Sequence, residues 1–288
     1  MKILVGVIPD SSASDALALA AVLHDAFGGE VVLGNIYAAP SDQSGKRKVD
    51  SEWVEYLRTD AVEVVADAAA EAPRRGLTDF GTAVHGHRSS GVGLEELAHE
   101  VHADLIVIGS APGASNGRFL IGSTADQLLH GSHIPVALAP AGYRRVSPES
   151  LRRLVVAFQD TPESHAALEW SAEHAGDRQL TALTVLVRHR VMGSTQAFNG
   201  EAMVVQQLED DARTALDAAL RALGTTADSA ISIGDDALSA VRRFDWNGDE
   251  LFVLASGGSI LRRVFLGDMT YKLVRASPVP VVVLPRHT

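Results

Sequence analysis

Residues 119–140 read FLIGSTADQLLHGSHIPVALAP, and the same pattern returns without a gap at residues 264–285 as VFLGDMTYKLVRASPVPVVVLP. Gly122 falls on Gly267, Leu128 on Leu273, Ser132 on Ser277, Pro135 on Pro280 and Pro140 on Pro285. Working outward, Leu105–Ser110 (LIVIGS) corresponds to Leu251–Ser256 (LFVLAS), and Lys2–Asp10 corresponds to Arg153–Asp160. Self-similarity over this distance means one structural unit used twice. The 288 residues are also about twice an ordinary domain. The expected division is a first domain at 1–142 and a second at 151–288. The Gly-, Pro- and Arg-containing stretch Ala141–Ser150 is the expected linker.

Each copy alternates strand-like and helix-like segments. In the first, Ile3–Ile8, Glu30–Tyr37, Phe80–His85, Leu105–Gly109 and Pro135–Ala139 read as strands, several of them continuously apolar, as strands covered on both faces are. Ser14–Phe27, Glu52–Arg74, Val92–His102 and Ser123–His130 carry Ala, Leu and Glu at helical spacing. Ser123–Asp126 and the Thr-Pro-Glu of Thr161–Glu163 are expected helix starts. The second copy has strands near Leu154–Phe158, Leu180–Val187, Ala230–Ile233, Leu251–Ala255 and Val279–Leu284. Strand–helix–strand alternation with short turns predicts an α/β fold with five parallel strands per copy, because parallel neighbours need crossover connections. Ser41–Asp50 and Val191–Gly200 interrupt both copies at equivalent places and read as mobile surface loops.

Composition removes many functions. Lys and Arg number 25 against 36 Asp and Glu, a net charge of −11, which opposes the phosphate neutralisation that drives nucleic-acid binding. The absence of cysteine excludes disulfides, thiolate metal sites and thiol nucleophiles. No apolar run approaches the roughly 20 residues of a membrane span. The start at Met1 reads as a buried strand and not a signal peptide, so the expectation is a cytoplasmic protein with neither nucleic-acid nor membrane partner.

In an open parallel sheet, ligands bind beyond the carboxyl ends of the strands, where the connections diverge. That directs attention to the residues after the first and fourth strands: Asp10 and Asp160, the glycine-rich stretch from Gly109 to Thr124, and its counterpart from Ala255 to Asp268. A glycine-rich loop that feeds a helix can turn backbone N–H groups toward a phosphate. The same glycines also serve a tight surface turn, and an Asp after a strand also serves as a helix cap; both alternatives stay open on the residues alone.

The strand-one Asp, the strand-four Gly-Ser, the long glycine loop ending in Gly-Ser and the closing Pro-Val strand, recurring in order across 1–142 and 151–288, resemble the universal stress protein family in its tandem-domain form. The resemblance implies two Rossmann-like, doubly wound five-stranded parallel sheets of the adenine nucleotide alpha-hydrolase type, paired through their fifth strands as an intrachain pseudo-dimer. It also implies a stress-response role without catalysis, any slow ATP hydrolysis being incidental to binding, and a homodimer of the two-domain chain. One subgroup of the family binds ATP through Gly, two residues, Gly, nine residues, Gly and then Ser or Thr.

By that resemblance the first copy binds ATP with Mg2+. Asp10 and Ile36 then meet the adenosine, Ile108, Gly109 and Ser110 form the floor, and Gly113, Gly122, Ser123 and Thr124 meet the phosphates. This copy departs from the pattern at the second glycine, where Pro112 stands with Gly113 one residue late; proline has no N–H to offer. The second copy is expected to hold a degenerate site of Asp160, Val185, Ala255, Gly258, Gly267 and Asp268. There Ala255 replaces the strand-end glycine, and Asp268 puts a carboxylate where a phosphate would sit.

Of the 11 histidines, His85 and His87 at the end of strand three and His99 and His102 on the next helix have pairwise ligand spacing. The chain runs most of a helix between the two pairs, which argues against one metal site. The sequence lacks a G-x-x-x-x-G-K-[ST] loop, a G-x-S-x-G elbow and a G-x-G-x-x-G after the first strand. Two rival readings accompany the nucleotide-binding one: a protein-interaction module using the two loops, and a nucleotide-dependent hydrolase of a related α/β fold.

Overall fold

The computed structural model describes residues 1–39, 48–188, 197–224, 226–256 and 268–285. The chain forms two compact units, Met1–Ser150 and Leu151–Thr288. The first contains β1 (Lys2–Gly6), α1 (Ser11–Phe27), β2 (Glu30–Tyr37), α2 (Lys48–Glu71), β3 (Gly81–Gly86), α3 (Ser90–Glu100), β4 (Leu105–Gly109), α4 (Ser123–Gly131) and β5 (Val136–Ala139). Its strands lie in the order β3-β2-β1-β4-β5 and pair parallel throughout.

The second unit contains β6 (Arg153–Ala157), α5 (Pro162–Ala175), β7 (Gln179–Val187), α6 (Ala197–Leu223), β8 (Asp228–Gly234), α7 (Ala237–Arg243), β9 (Glu250–Ala255), α8 (Asp268–Ala276) and β10 (Val281–Leu284). The order β8-β7-β6-β9-β10, again all parallel, repeats the first. The expectation of two doubly wound five-stranded parallel sheets agrees with this architecture. Among the described residues, no helix is long and apolar enough to cross a membrane.

The apolar runs explain the layering. Ile3, Leu4 and Val5 are consecutive in β1 and all fully buried; since successive side chains point to opposite faces, both faces of the sheet must be covered. In the first unit α1 packs with α2, and α3 with α4. Both units use one polar device behind the first strand. Asn35 of β2 donates from Nδ2 to the carbonyl of Val7 at 2.7 Å, and Thr184 of β7 donates from Oγ1 to the carbonyl of Phe158 at 3.1 Å.

Two expectations about connections change. Helices α2 and α6 begin at Lys48 and Ala197, so the last residues of the expected loops Ser41–Asp50 and Val191–Gly200 are helical; the rest of those loops lies outside the described residues. Helix α2 thus begins four residues before the expected start at Glu52.

The expected linker is also partly built into the first unit. Tyr143–Arg145 forms a 3-10 turn held by Asp15 of α1, which is only 2% exposed. The Asp15 carboxylate accepts from the Gly142 N–H at 2.8 Å, the Arg144 N–H at 3.0 Å and Arg144 Nη1 at 2.8 Å. Tyr143 is buried there, and burial pushes its phenol well above the ordinary tyrosine range.

Glu71, at the end of α2, joins the same corner. It accepts from Ser14 Oγ at 2.6 Å and from Arg75 Nη2 at 3.0 Å, while Arg75 Nη1 donates to the Arg144 carbonyl at 2.9 Å. Desolvation works to raise the Glu71 pKa, but the hydrogen bonds from Ser14 and Arg75 and the charges of Arg75 and Arg144 outweigh it and hold it below its ordinary value of 4.5. In the second unit, the buried Glu250 at the start of β9 pairs with Arg153 at the start of β6. It also accepts from the Asn247 and Gly248 N–H groups, each at 2.8 Å.

Two outcomes follow from these clusters. Glu250→Ala removes the counter-ion of the half-buried Arg153 and the acceptor of the Asn247 and Gly248 N–H groups, and should destabilise the second unit by about 1–3 kcal/mol, read as a lower urea midpoint. The ionised Glu71 contributes stability that is fully present above pH 4.5 and is lost as the pH falls through its lower folded value. Wild type should therefore be the more stable protein at neutral pH, and its margin over Glu71→Gln should narrow in unfolding titrations as the pH drops below 4.5.

Candidate functional site

In the first unit β1 leads through α1 to β2 on one side, while β4 leads through α4 to β5 on the other. The chain ends of these strands therefore open a crevice between diverging connections. A cavity of about 190 Å³ occupies it. Its apolar walls include Val7, Ile36, Leu94 and Ile108, and its polar positions are Ser12, Ser90, Ser110, Ser123 and Thr124. Helices α1, α3 and α4 all start at this rim, α1 and α3 after short turns from β1 and β3 and α4 after the loop of residues 110–122. No charged side chain lines the cavity among the described residues.

The α4 end is the most open to an anion. Its cap position is Gly122, which supplies no capping side chain, so the first N–H groups of the helix face the cavity together with the hydroxyls of Ser123 and Thr124. The helix thus starts one residue earlier than a cap at Ser123 would place it. Thr124 Oγ1 lies 2.6 Å from Ser90 Oγ, and Gln127 Oε1 accepts from Ser89 Oγ at 2.7 Å and the Gly91 N–H at 3.0 Å. These bonds pin the starts of α3 and α4 together, which fixes the direction of both.

Seven residues singled out from sequence line this cavity: Ile36, Ile108, Gly109, Ser110, Gly122, Ser123 and Thr124. Asp10 and Gly113 do not. Asp10 caps α1, its Oδ1 accepting from the Ser12 N–H at 2.7 Å. Gly113 follows Pro112 with a left-handed φ of +89°, a Pro-Gly corner that suits a type II turn. Ser110 is buried and closes the loop on itself, its Oγ accepting from the Leu120 N–H at 2.8 Å while the Ala111 N–H donates to the Leu120 carbonyl at 2.9 Å.

Several lining residues were not anticipated: Gly6, Gly34, Ser12, Ser90 and Leu94. Gly6 and Gly34 are register partners in the β1–β2 ladder. A Cβ on Gly6 would lie 2.8 Å from Leu94 Cδ2, and one on Gly34 would lie 2.8 Å from Leu97 Cδ2, so the glycines let α3 sit close to the sheet. The available signal was the comparison of the two copies strand by strand. The matching register pair in β6–β7 is Ala157 with Leu183. Ser12 and Ser90 carry no such signal, since serine near a helix start is ordinary.

The second unit builds this region differently. Leu183 and Phe158 are buried, and the Phe158 ring meets His165 edge-on with centroids 5.1 Å apart. Thr161 caps α5; counted from the ends of β6 and β1, it is Thr161 and not Asp160 that occupies the place of Asp10. Asp160 instead accepts from His165 Nε2 at 3.0 Å. Asp160 stands one residue before the cap at Thr161, so the capping alternative does not hold for it. Val185 is buried in β7, and the carbonyl of Ala255, at the end of β9, accepts from Thr270 Oγ1 at 3.3 Å. Gly258 and Gly267 lie outside the described residues, and α8 begins at Asp268.

The histidines beside α3 are engaged by its glutamates. His85 Nε2 is 3.0 Å from Glu96 and its Nδ1 is 3.2 Å from Glu100, and His133 Nδ1 is 2.9 Å from Glu95. Among the described residues, no group of three or more His, Asp or Glu side chains is arranged to hold a metal ion.

A close approach at the cavity floor gives a direct test. A Cβ on Gly109 would stand 2.3 Å from the Ser12 carbonyl oxygen, a backbone atom that cannot turn aside. Gly109→Ala should cost about 1–3 kcal/mol as α1 is pushed off β4. The reverse change in the second unit, Ala255→Gly, should cost no more than about 1 kcal/mol; unfolding midpoints separate the two.

The comparisons with known proteins agree over the whole chain. The universal stress protein family model matches residues 1–140 and 150–285. Universal stress proteins of Mycobacterium tuberculosis and Mycobacterium bovis are each 32% identical over 302 aligned residues, covering 99% of this chain and 100% of theirs. A universal stress protein structure from Archaeoglobus fulgidus superposes with a TM-score of 0.66 at 16% identity, covering 99% of this chain and 98% of that one. A protein of unknown function from Pseudomonas aeruginosa PAO1 superposes with a TM-score of 0.59 at 14% identity, with coverage of 99% and 92%. With two copies of the repeat, the doubly wound sheet and the family match at both, this chain belongs to the universal stress protein family.

Proposed function

We propose that this universal stress protein works by occupancy: its first unit binds an adenine nucleotide, its second unit does not, and the bound state is what a cellular partner reads. The observation that carries the reading is the cavity itself. It brings the apolar side chains of Ile36, Leu94 and Ile108 into one cavity with the uncapped start of α4, Ser123 and Thr124. A purine ring suits the first and a phosphate suits the second. The asymmetry between the units supports the division of roles, because Ala157 and Leu183 stand where the first unit keeps Gly6 and Gly34 clear.

Catalysis finds no support in the lining residues. None of them forms a pair of nucleophile and general base. No carboxylate lines the cavity either, so a divalent cation such as Mg2+ would enter already bound to a polyphosphate such as ATP.

Mass spectrometry of the protein as purified, followed by calorimetry with adenine nucleotides at up to millimolar concentration, tests this reading. Binding of one nucleotide per chain is the expected result, and Ser123→Asp should weaken it by about tenfold or more, since a carboxylate there takes the place of the anion. Absence of both co-purified nucleotide and binding heat would falsify the reading.

A further inference from the structure

Among the described residues the most exposed aromatic rings are those of Trp53 and Tyr56, near the start of α2, at 58% and 59%. They stack on each other with centroids 5.3 Å apart and planes inclined by 17°. An exposed Trp–Tyr pair leaves its outer ring faces to water, at a cost that a partner removes. We propose that this flank of α2 is an interaction surface for an arginine-rich segment of another protein. The surface stands apart from the nucleotide reading, since α2 contributes no residue to the cavity.

Helical spacing defines its extent. Trp53, Tyr56, Asp60, Glu63 and Asp67 follow one another at intervals of three and four residues and so form one column along the helix. All five are exposed, while Ala61, Val65 and Ala68 are buried where α2 packs on β2 and β3. At 1.5 Å per residue the column is about 21 Å long. It ends at Glu71, whose carboxylate is already taken by Ser14 and Arg75.

Charge chooses the occupant. Asp60, Glu63 and Asp67 form no ion pair among the described residues, and Arg58, the one basic residue between Ser51 and Glu71, lies off the column and pairs with Glu55 at 3.3 Å. A second copy laid on this column would set carboxylate against carboxylate, and nucleic acid would be repelled in the same way. A basic segment complements it.

The rings then choose arginine over lysine. A planar guanidinium stacks on an aromatic face and binds a carboxylate through two parallel N–H groups, whereas an ammonium is a compact, strongly hydrated point charge. Because the two rings already hold each other in place, little ordering is needed on binding. The feature belongs to the first unit. From Met203 onward α6 has no aromatic residue, and its Asp210 and Asp211 accept from Gln206 and Gln207 at 3.3 and 2.8 Å.

Calorimetry on the full chain with octa-arginine and octa-lysine peptides, at about 0.15 M salt to screen long-range attraction, tests the proposal. Octa-arginine should bind about fivefold or more tightly than octa-lysine. Trp53→Ala/Tyr56→Ala, which keeps the net charge, should weaken octa-arginine by about fivefold and narrow that preference. Asp60→Asn/Glu63→Gln/Asp67→Asn should weaken both peptides by about tenfold or more. All five side chains are exposed, so the fold does not depend on them. Equal binding of the two peptides, no binding of either, or octa-arginine binding unchanged in one of the two variants overturns the proposal. So does a dimer in sedimentation equilibrium that Trp53→Ala/Tyr56→Ala abolishes, which would give the surface to a second copy.

Discussion

Parallel strands cannot be joined by a tight turn, and this constraint organises each unit. Every connection has to carry the chain back to the other end of the sheet, and the segment that does so is a helix. Each helix therefore begins where a strand ends, so α1, α3 and α4 present their N-termini at one end of the first sheet. Because β1 and β4 are neighbours whose connections leave in opposite directions, the helices part between them. The cavity is a consequence of winding, and the helix starts around it give it a positive rim without any basic side chain.

What the crevice becomes depends on how closely the helices approach the sheet. In the first unit Gly109 lets Ser12 of α1 rest against the end of β4, and Gly6 and Gly34 let α3 settle beside β1 and β2. These contacts leave a small, defined space. The second unit keeps the same strand order and the same polar tie behind its first strand, from Thr184 to the Phe158 carbonyl, but it carries Ala157, Leu183 and Ala255 at the corresponding positions. Fold and site are thus separable here. The ladder of apolar strands sustains the fold in both units, while the residues at these close-approach positions differ between them.

Much of the architecture was legible because it is written in period and repetition. The continuous apolar runs of β1 and β4 announce strands buried on both faces, and the return of FLIGSTADQLLHGSHIPVALAP as residues 264–285 announces a second copy. The site was legible in part, through Gly109, Gly122, Ser123 and Thr124, because a glycine loop that feeds a helix has a recognisable order. Ser12 and Gly34 were not, since neither stands in a motif; they meet the others only when α1 and β2 are folded against β4.

By itself, the sequence determined two copies of an α/β unit, the strands of each and the general place of the candidate cavity, because these follow from local hydrophobic pattern and from the crossover rule. Only the tertiary structure decided that Asp10 caps α1 instead of lining the cavity, that Thr161 holds the matching place in the second unit, and that Ser110 spends its hydroxyl closing the glycine loop. Each of these turns on where a hydrogen bond lands between segments distant in sequence or one residue out of step. Distances of an ångström or two decide that, and residue identity alone does not carry them.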